Sequence, residues 1–367
     1  MNITNLILCF SIAFVISLAA TPVVKNIAHK IGAIDVPKDE RRVHKAPTPR
    51  LGGLAIFYGF LIALLCFARI DQQLRGIIIG SLIIIGIGII DDVKQIRASV
   101  KLVAQILAAI VTVAHDVRIT AISVPEFIAD GGVLQLGMWS IPITLIWIVG
   151  VTNAVNLIDG LDGLAVGVSS IASFSIFFIA ILAGEQNVAI ISAALAGGCL
   201  GFLPYNFNPA KIFMGDTGST FLGYMLSVIC IEGLFKGYVV ISFVIPFLIL
   251  GLPIFDTAFA IVRRAWNKKP IMAPDRGHLH HKLMDMGFSQ KQTVAILYII
   301  TCILALSAVV VLEAGAYTAI MFIVTILICS IFAMKLYKIN HKIHMEKLEA
   351  EEKAMANASE DEKEENQ

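Results

Sequence analysis

The sequence predicts an all-α polytopic membrane protein, and three observations carry that prediction. Of 367 residues, 57% are hydrophobic and only 15% charged, where a soluble domain carries about 25% charged residues; mean hydropathy is +0.84. The apolar residues gather into runs near the ~20 residues that a spanning helix needs. Lys and Arg are confined almost wholly to alternate connections between those runs, the asymmetry that orients membrane proteins.

Eleven spans follow in order, near residues 3–21, 51–69, 74–90, 100–115, 138–154, 164–183, 187–204, 218–235, 238–262, 292–312 and 316–335. The first lacks a basic leader and a small-residue cleavage site before Thr21-Pro22, so it reads as a retained span. All Lys and Arg but Arg69, Arg75, Arg118 and Lys236 lie on one set of connections. That places the N-terminus outside and the C-terminus in the cytoplasm. Residues 116–137 form the longest outside connection, and RITAISV and VLQL around Asp130-Gly131-Gly132 predict a small hairpin. Pro246, Gly251 and Pro253 predict a kinked or broken ninth helix. Asp256 lies beyond that kink, either lining a site or paired with Arg263 or Arg264. The domain reading is a membrane catalytic domain over 1–335, a cytoplasmic substrate-binding loop at 263–291 within it, and a charged, partly disordered tail at 336–367.

Several function classes recede at once. The net charge of +1 gives no sign of a nucleic-acid partner, and none is expected. The six cysteines lie inside apolar runs without CxxC spacing, so neither a disulfide framework nor a zinc site follows. A cation-coupled transporter would favour mid-span polar groups and related halves, and no internal repeat is visible.

The chemistry-bearing residues sit at one end of the spans. Asp91 and Asp92 close the third run, with Lys94, Arg97 and Lys101 following as phosphate contacts. Adjacent carboxylates on a helix point about 100° apart, so the two divide their roles. Asn153, Asn156, Asp159 and Asp162 recur at a spacing of three, which makes them neighbours along a helical surface and suits a hard cation or a ribose-and-base contact. In NFNPAKIFMGDTGS, Lys211 and Phe213 precede Asp216 at a predicted helix start, where free N–H groups favour anions and Asp216 can hold a magnesium ion on phosphates. His278, His280 and His281, flanked by Arg276 and Lys282, read as a phosphate- or sugar-binding loop rather than a zinc site. Lys45-Ala-Pro-Thr-Pro-Arg-Leu-Gly-Gly opens the second span with a stiffened, close-packing turn.

TPRLGG, GIIDDVKQIRASVKLVAQ, NAVNLIDGLDGLAVG, FNPAKIFMGDTGSTFLG, PIFDT and PDRGHLHHKL, in that order, resemble the polyprenyl-phosphate N-acetylhexosamine-1-phosphate transferases. Within them the chain looks most like the bacterial undecaprenyl-phosphate N-acetylglucosaminyl-1-phosphate transferases, which start wall teichoic acid linkage units or O-antigen and enterobacterial common antigen. The resemblance implies transfer of N-acetylglucosamine-1-phosphate from UDP-N-acetylglucosamine to undecaprenyl phosphate with Mg2+ (Mn2+ as the alternative ion), on the cytoplasmic side of the lipid bilayer, with a homodimer open. The phospho-N-acetylmuramoyl-pentapeptide transferases are the sister alternative; they usually carry an acidic residue after the histidine segment, where this chain has Lys282. The resemblance further implies that Asp216 and Asn156 ligate magnesium. Asp91 would act on the lipid phosphate with Asp92 supporting, and Asp159 and Phe213 would meet uridine. Lys45, Arg276, His278, His280 and His281 would lie near the nucleotide or sugar.

Overall fold

The computed structural model describes residues 2–36, 47–123, 132–235, 244–268 and 277–314, with 318 and 324. Met1–Glu313 form one compact unit and Ala314–Gln367 a second; the account below concerns the first. The eleventh predicted span and the charged tail fall almost wholly outside the described residues.

Helix α1 runs over Ile3–Ile31, capped at its start by Asn2 and ended by Gly32 in the left-handed region. It was expected to stop at Thr21-Pro22. Proline removes one backbone hydrogen bond, yet the buried positions Ser17, Thr21, Val24 and Ala28 keep a helical period through it, and the helix continues for nine residues beyond. Strand β1 (Ile34–Asp35) pairs antiparallel with β2 (Thr48–Pro49). Helices α2 (Gly53–Phe67), α3 (Gln72–Lys94) and α4 (Ala98–Ala114) follow, with Asp71 capping α3 through Leu74 N at 2.8 Å. Strands β3 (Ala121–Ser123) and β4 (Val133–Gln135) form the hairpin expected between the fourth and fifth spans.

Helix α5 (Ser140–Leu157) is followed by α6 (Leu164–Ala183), α7 (Gln186–Asn206) and α8 (Gly215–Cys230), the last continued by a π-helical turn over Ile231–Phe235. The ninth span is broken at Leu250 into α9 (Val244–Ile249) and α10 (Gly251–Trp266). Pro253 stands in the first turn of α10, where a missing N–H costs no helical bond, so a new helix starting at Gly251 accommodates it. The loop at 263–291 holds a short helix, α11 (Leu279–Asp285), and α12 (Gln290–Ala314) closes the unit. Among the described residues six helices are long and apolar enough to cross a membrane, and α2 and α4 are shorter apolar helices. The protein is an all-α membrane protein.

Helix α8 is the hub. Every residue from Thr217 to Cys230 is buried, and α2, α3, α5, α6 and α7 all pack against it. Polar pins fix the arrangement: Tyr224 Oη lies 2.6 Å from Thr112 Oγ1 and donates to the Ile77 carbonyl at 3.2 Å, and Trp147 Nε1 donates to the Ser227 carbonyl at 3.0 Å. At the N-terminus of α8 the approach is closest. A Cβ on Gly53 of α2 would lie 2.1 Å from the Gly218 backbone, so only glycine permits this contact.

Candidate active site

The polar ends of α3, α5 and α8 converge on a cavity of about 340 Å³, with Lys101 of α4 paired to Asp216 on its wall. Its frame is backbone. Arg50 N donates to the Ala33 carbonyl, Phe213 N to Pro49 O, Gly52 N to Phe213 O and Gly53 N to Met214 O, all within 2.8–2.9 Å. These bonds stitch the residues entering α2 to those entering α8 and hold Phe213 on the cavity wall.

Asp92 locks the N-terminus of α8. Its Oδ1 accepts from Asp216 N at 2.9 Å, and its Oδ2 accepts from Thr217 N at 3.0 Å and Thr217 Oγ1 at 2.6 Å. No residue of α8 caps its own start; a carboxylate from α3 satisfies those orphan donors and meets the positive end of the helix. Gly215 enters the turn at φ +73°, and a Cβ there would lie 2.4 Å from Asp92 Oδ2. Asp92 is 1% exposed.

Asp91 faces the other way. Its Oδ1 accepts from Ile96 N at 2.8 Å and its Oδ2 from Lys101 Nζ at 3.1 Å. Lys101 also donates to Asp216 Oδ2, so one ammonium bridges the last turn of α3 and the first turn of α8. Asp91 is buried beside the cavity rather than on its wall. Asn156 lies within hydrogen-bonding reach of Asp216 and donates to Ser219 Oγ at 2.7 Å.

The four-residue run at spacing three does not share one helix. Helix α5 ends at Leu157, and Asp159 and Asp162 sit in the turn before Gly163, which adopts φ +80°. The correction has a physical cause: two Asp-Gly pairs favour turns over a continued helix. Each member then has its own environment. Asn153 is clamped to Gln105 of α4, donating to Oε1 at 2.7 Å, away from the cavity. Asp162 reaches the cavity while its Oδ2 accepts from Asn208 Nδ2 at 2.9 Å and Ala210 N at 3.0 Å, which ties down the segment leading to Phe213. Asp159 lines the cavity, and its carboxylate has no hydrogen-bond partner among the described residues. Burial, with repulsion from Asp216, Asp92 and Asp162, pushes its pKa up to about 8.

The histidines separate in the same way. His281 lines the cavity. His278 and His280 are buried at 5% and 3% exposure, their rings parallel within 7° and 5.8 Å apart. Asp256 of α10 holds this pair: its Oδ2 lies 2.7 Å from His278 Nδ1, and its Oδ1 accepts from Leu279 N at 2.8 Å. Of the two readings of Asp256, the structure supports neither a cavity position nor pairing with Arg263 or Arg264; it anchors the histidine helix. The His280 ring lies over Gly160, where a Cβ would come within 2.5 Å of Nε2. Burial and the neighbouring His281 hold the His280 pKa down to about 4.

Of the residues singled out from sequence, Asp92, Asn156, Asp159, Asp162, Phe213, Asp216 and His281 share the cavity wall. Asp91, Asn153, His278 and His280 stand behind it, and Lys211 is exposed outside it. Lys45 and Arg276 lie outside the described residues. Sequence reasoning passed over Arg50 and Asp35, both on the wall. Arg50 stands within the TPRLGG segment, so a polar residue inside a motif was the signal available.

Apolar helices that meet at an acid-lined cavity define a membrane protein with a polar site at its helix ends. Residues 74–234 match the model of glycosyl transferase family 4. The chain is 45% identical over 325 residues to the "Probable undecaprenyl-phosphate N-acetylglucosaminyl 1-phosphate transferase" of Bacillus subtilis, covering 88% of this chain and 89% of that protein. It is 36% identical to the decaprenyl-phosphate N-acetylglucosaminephosphotransferase of Mycobacterium tuberculosis, over 81% of this chain and 80% of the other. It is 30% identical to the phospho-N-acetylmuramoyl-pentapeptide-transferase of Desulforudis audaxviator, over 80% of this chain and 94% of the other. The chain belongs to glycosyl transferase family 4 and is a phosphoglycosyl transferase of that family.

Proposed function

We propose that the protein transfers N-acetylglucosamine-1-phosphate from UDP-N-acetylglucosamine to undecaprenyl phosphate, releasing UMP. In the reaction an oxygen of the lipid phosphate forms a bond to the β-phosphorus of the donor. The bond from that phosphorus to the bridging oxygen breaks, and UMP leaves with the electron pair. The observation that carries this reading is the meeting of Asp91, Lys101 and Asp216 from three apolar helices beside a cavity walled by Asp159 and Phe213. Phosphoryl transfer asks a protein mainly to position and neutralise anions, and the ends of apolar helices are where a prenyl phosphate and a sugar nucleotide can meet. The relatives named for N-acetylglucosamine-1-phosphate transfer at 45% and 36% identity support the donor over the muramoyl-pentapeptide alternative at 30%.

The residues divide the work. Lys101 holds a positive charge between two acids and can pass it to an arriving phosphate. Phe213 offers an aromatic face for the uracil, and Asp159, without a partner among the described residues, offers a carboxyl group for hydrogen bonds to the donor's hydroxyl or imide groups. Asp91 orients the lipid phosphate through Lys101. Asp92 is excluded from nucleophilic attack because its oxygens are committed to the start of α8. That favours direct attack by the lipid phosphate over a covalent enzyme intermediate on this acid.

Asp216 and Asn156 fit a magnesium ion. They offer a carboxylate and a carboxamide together on the cavity wall. Magnesium needs only one or two protein oxygens when phosphates and water complete its shell. When bound there, it would neutralise charge on the donor diphosphate. The bias of basic residues supports a cytoplasmic position for this site, and the proposal sets it at a bacterial plasma membrane within an eleven-span chain. The envelope pathway proposed for this step, on the motif resemblance alone, is wall teichoic acid initiation.

A donor comparison tests the reading. Purified protein with undecaprenyl phosphate and magnesium is given UDP-N-acetylglucosamine or UDP-N-acetylmuramoyl-pentapeptide, and the lipid product is weighed by mass spectrometry. The expected product carries N-acetylglucosamine-1-phosphate. A muramoyl-pentapeptide lipid, or none from either donor, would overturn it.

A further inference from the structure

Five carboxylates line the cavity, and among the described lining residues a single Lys or Arg stands against them: Arg50. Its backbone is fixed on both sides. Arg50 N donates to the Ala33 carbonyl at 2.9 Å, Arg50 bridges in parallel to Phe213, and the next residue, Leu51, is 1% exposed. Its side chain is half-fixed. Nε donates to the Asp92 carbonyl at 3.1 Å, among the last carbonyls of α3, which no later turn of the helix can satisfy. The terminal nitrogens have no hydrogen-bond or ion-pair partner among the described residues, although acids surround the cavity.

Capping α3 needs one donor and gives no reason for a guanidinium. A guanidinium anchored by Nε keeps two terminal nitrogens in a rigid plane, the arrangement that takes two oxygens of one phosphate. Anchoring also lowers the side-chain ordering that binding would otherwise demand. An acid-lined cavity that receives two phosphate substrates needs a fixed cation on its wall, and Lys101 is already shared between Asp91 and Asp216.

We propose that Arg50 is a substrate-binding residue whose terminal nitrogens hold a phosphate of one of the two substrates; this rests on the transferase reading above. The chemistry, a phosphate held by a bidentate guanidinium, is common to the donor diphosphate and the lipid phosphate. The position of Arg50 beside Phe213, reached through the same backbone bridge, sets it next to the expected uridine contact.

The test uses full-length protein in detergent with Arg50→Gln and Arg50→Lys. Thermal unfolding is followed while UDP, or a short-chain prenyl phosphate, is titrated, so binding is read without turnover. In the wild type both ligands raise the melting temperature. In Arg50→Gln the midpoint concentration for one of them should rise by about tenfold or more, the scale of a lost hydrogen bond to a charged group. Arg50→Lys should recover part of the loss. A shift confined to UDP assigns the donor diphosphate, and one confined to the prenyl phosphate assigns the acceptor. Unchanged midpoints for both ligands in a folded Arg50→Gln protein, or a lowered melting temperature alone, would remove Arg50 from substrate binding. Wild-type UMP release, measured alongside, separates the cases: if it is present while both midpoints stay unchanged, only Arg50's role falls; if it is absent, the transferase reading falls, and with it the role proposed here.

Discussion

Replacing Asp92 by Asn should cost stability first and catalysis second, whereas Asp91→Asn should do the reverse. The Asp92 carboxylate accepts three hydrogen bonds, two of them from the first backbone N–H groups of α8. Asn keeps one acceptor oxygen. Turned to serve Thr217, it presents its NH2 to Asp216 N, so one charge-assisted bond is lost and a buried N–H is left facing a donor. A hydrogen bond to a charged group contributes about 1.5–3 kcal/mol, and an orphaned buried donor costs about 1–3 kcal/mol. Because the two overlap, a total of about 2–4 kcal/mol is expected. Asp91 accepts from Ile96 N and Lys101 beside the cavity; Asn there keeps an acceptor for Ile96 and loses one of the two charges that hold Lys101. Thermal unfolding and UMP release in the same detergent would measure both. An Asp92→Asn protein that melts like the wild type but does not turn over would refute the capping account and give Asp92 a chemical role.

Three further outcomes follow from the same contacts. Gly53→Ala should lose about 1–3 kcal/mol by overpacking, because the added methyl meets the Gly218 backbone at 2.1 Å; Gly150→Ala, with nothing within 4 Å of its Cβ, serves as the neutral control in the same melt. Asp256→Asn and His278→Asn should each loosen α11 and lower turnover, and the double variant should be no worse than either single one, since both break one 2.7 Å contact; additive losses in a double-mutant cycle would contradict this. His280 is held near 4, below the ~6.5 of an unfolded histidine. The unfolded chain therefore binds the extra proton first, so stability falls as pH drops from about 6.5 towards 4 and is fully kept above that window. The melting temperature of His280→Asn should lose that part of the wild-type pH slope between pH 7 and 5.

The sequence made the membrane class plain because apolar runs and basic connections are composition-level signals that do not depend on partners. It also showed which segments carry the chemistry. What it could not show was which way each side chain turns. Asp91 and Asp92 are adjacent in sequence, yet one caps α8 and the other holds Lys101; only the arrival of α8, more than a hundred residues later, decides this. Asn153 and Asp159 looked equivalent until the helix ended at Leu157, where Asp-Gly chemistry turned the chain and Gln105 claimed Asn153. The end of α1 was misplaced for a simpler reason: a single proline was read as a stop although the apolar period ran on through it. Asp256 and His278 meet between α10 and the start of α11, a contact that no local pattern specifies.

The most direct measurement is UMP release by the purified protein with UDP-N-acetylglucosamine, undecaprenyl phosphate and magnesium, run beside Asp216→Ala. The account predicts release only when both substrates and the metal are present, and none from the variant. Release without the prenyl phosphate, or near-normal turnover by Asp216→Ala, would contradict it.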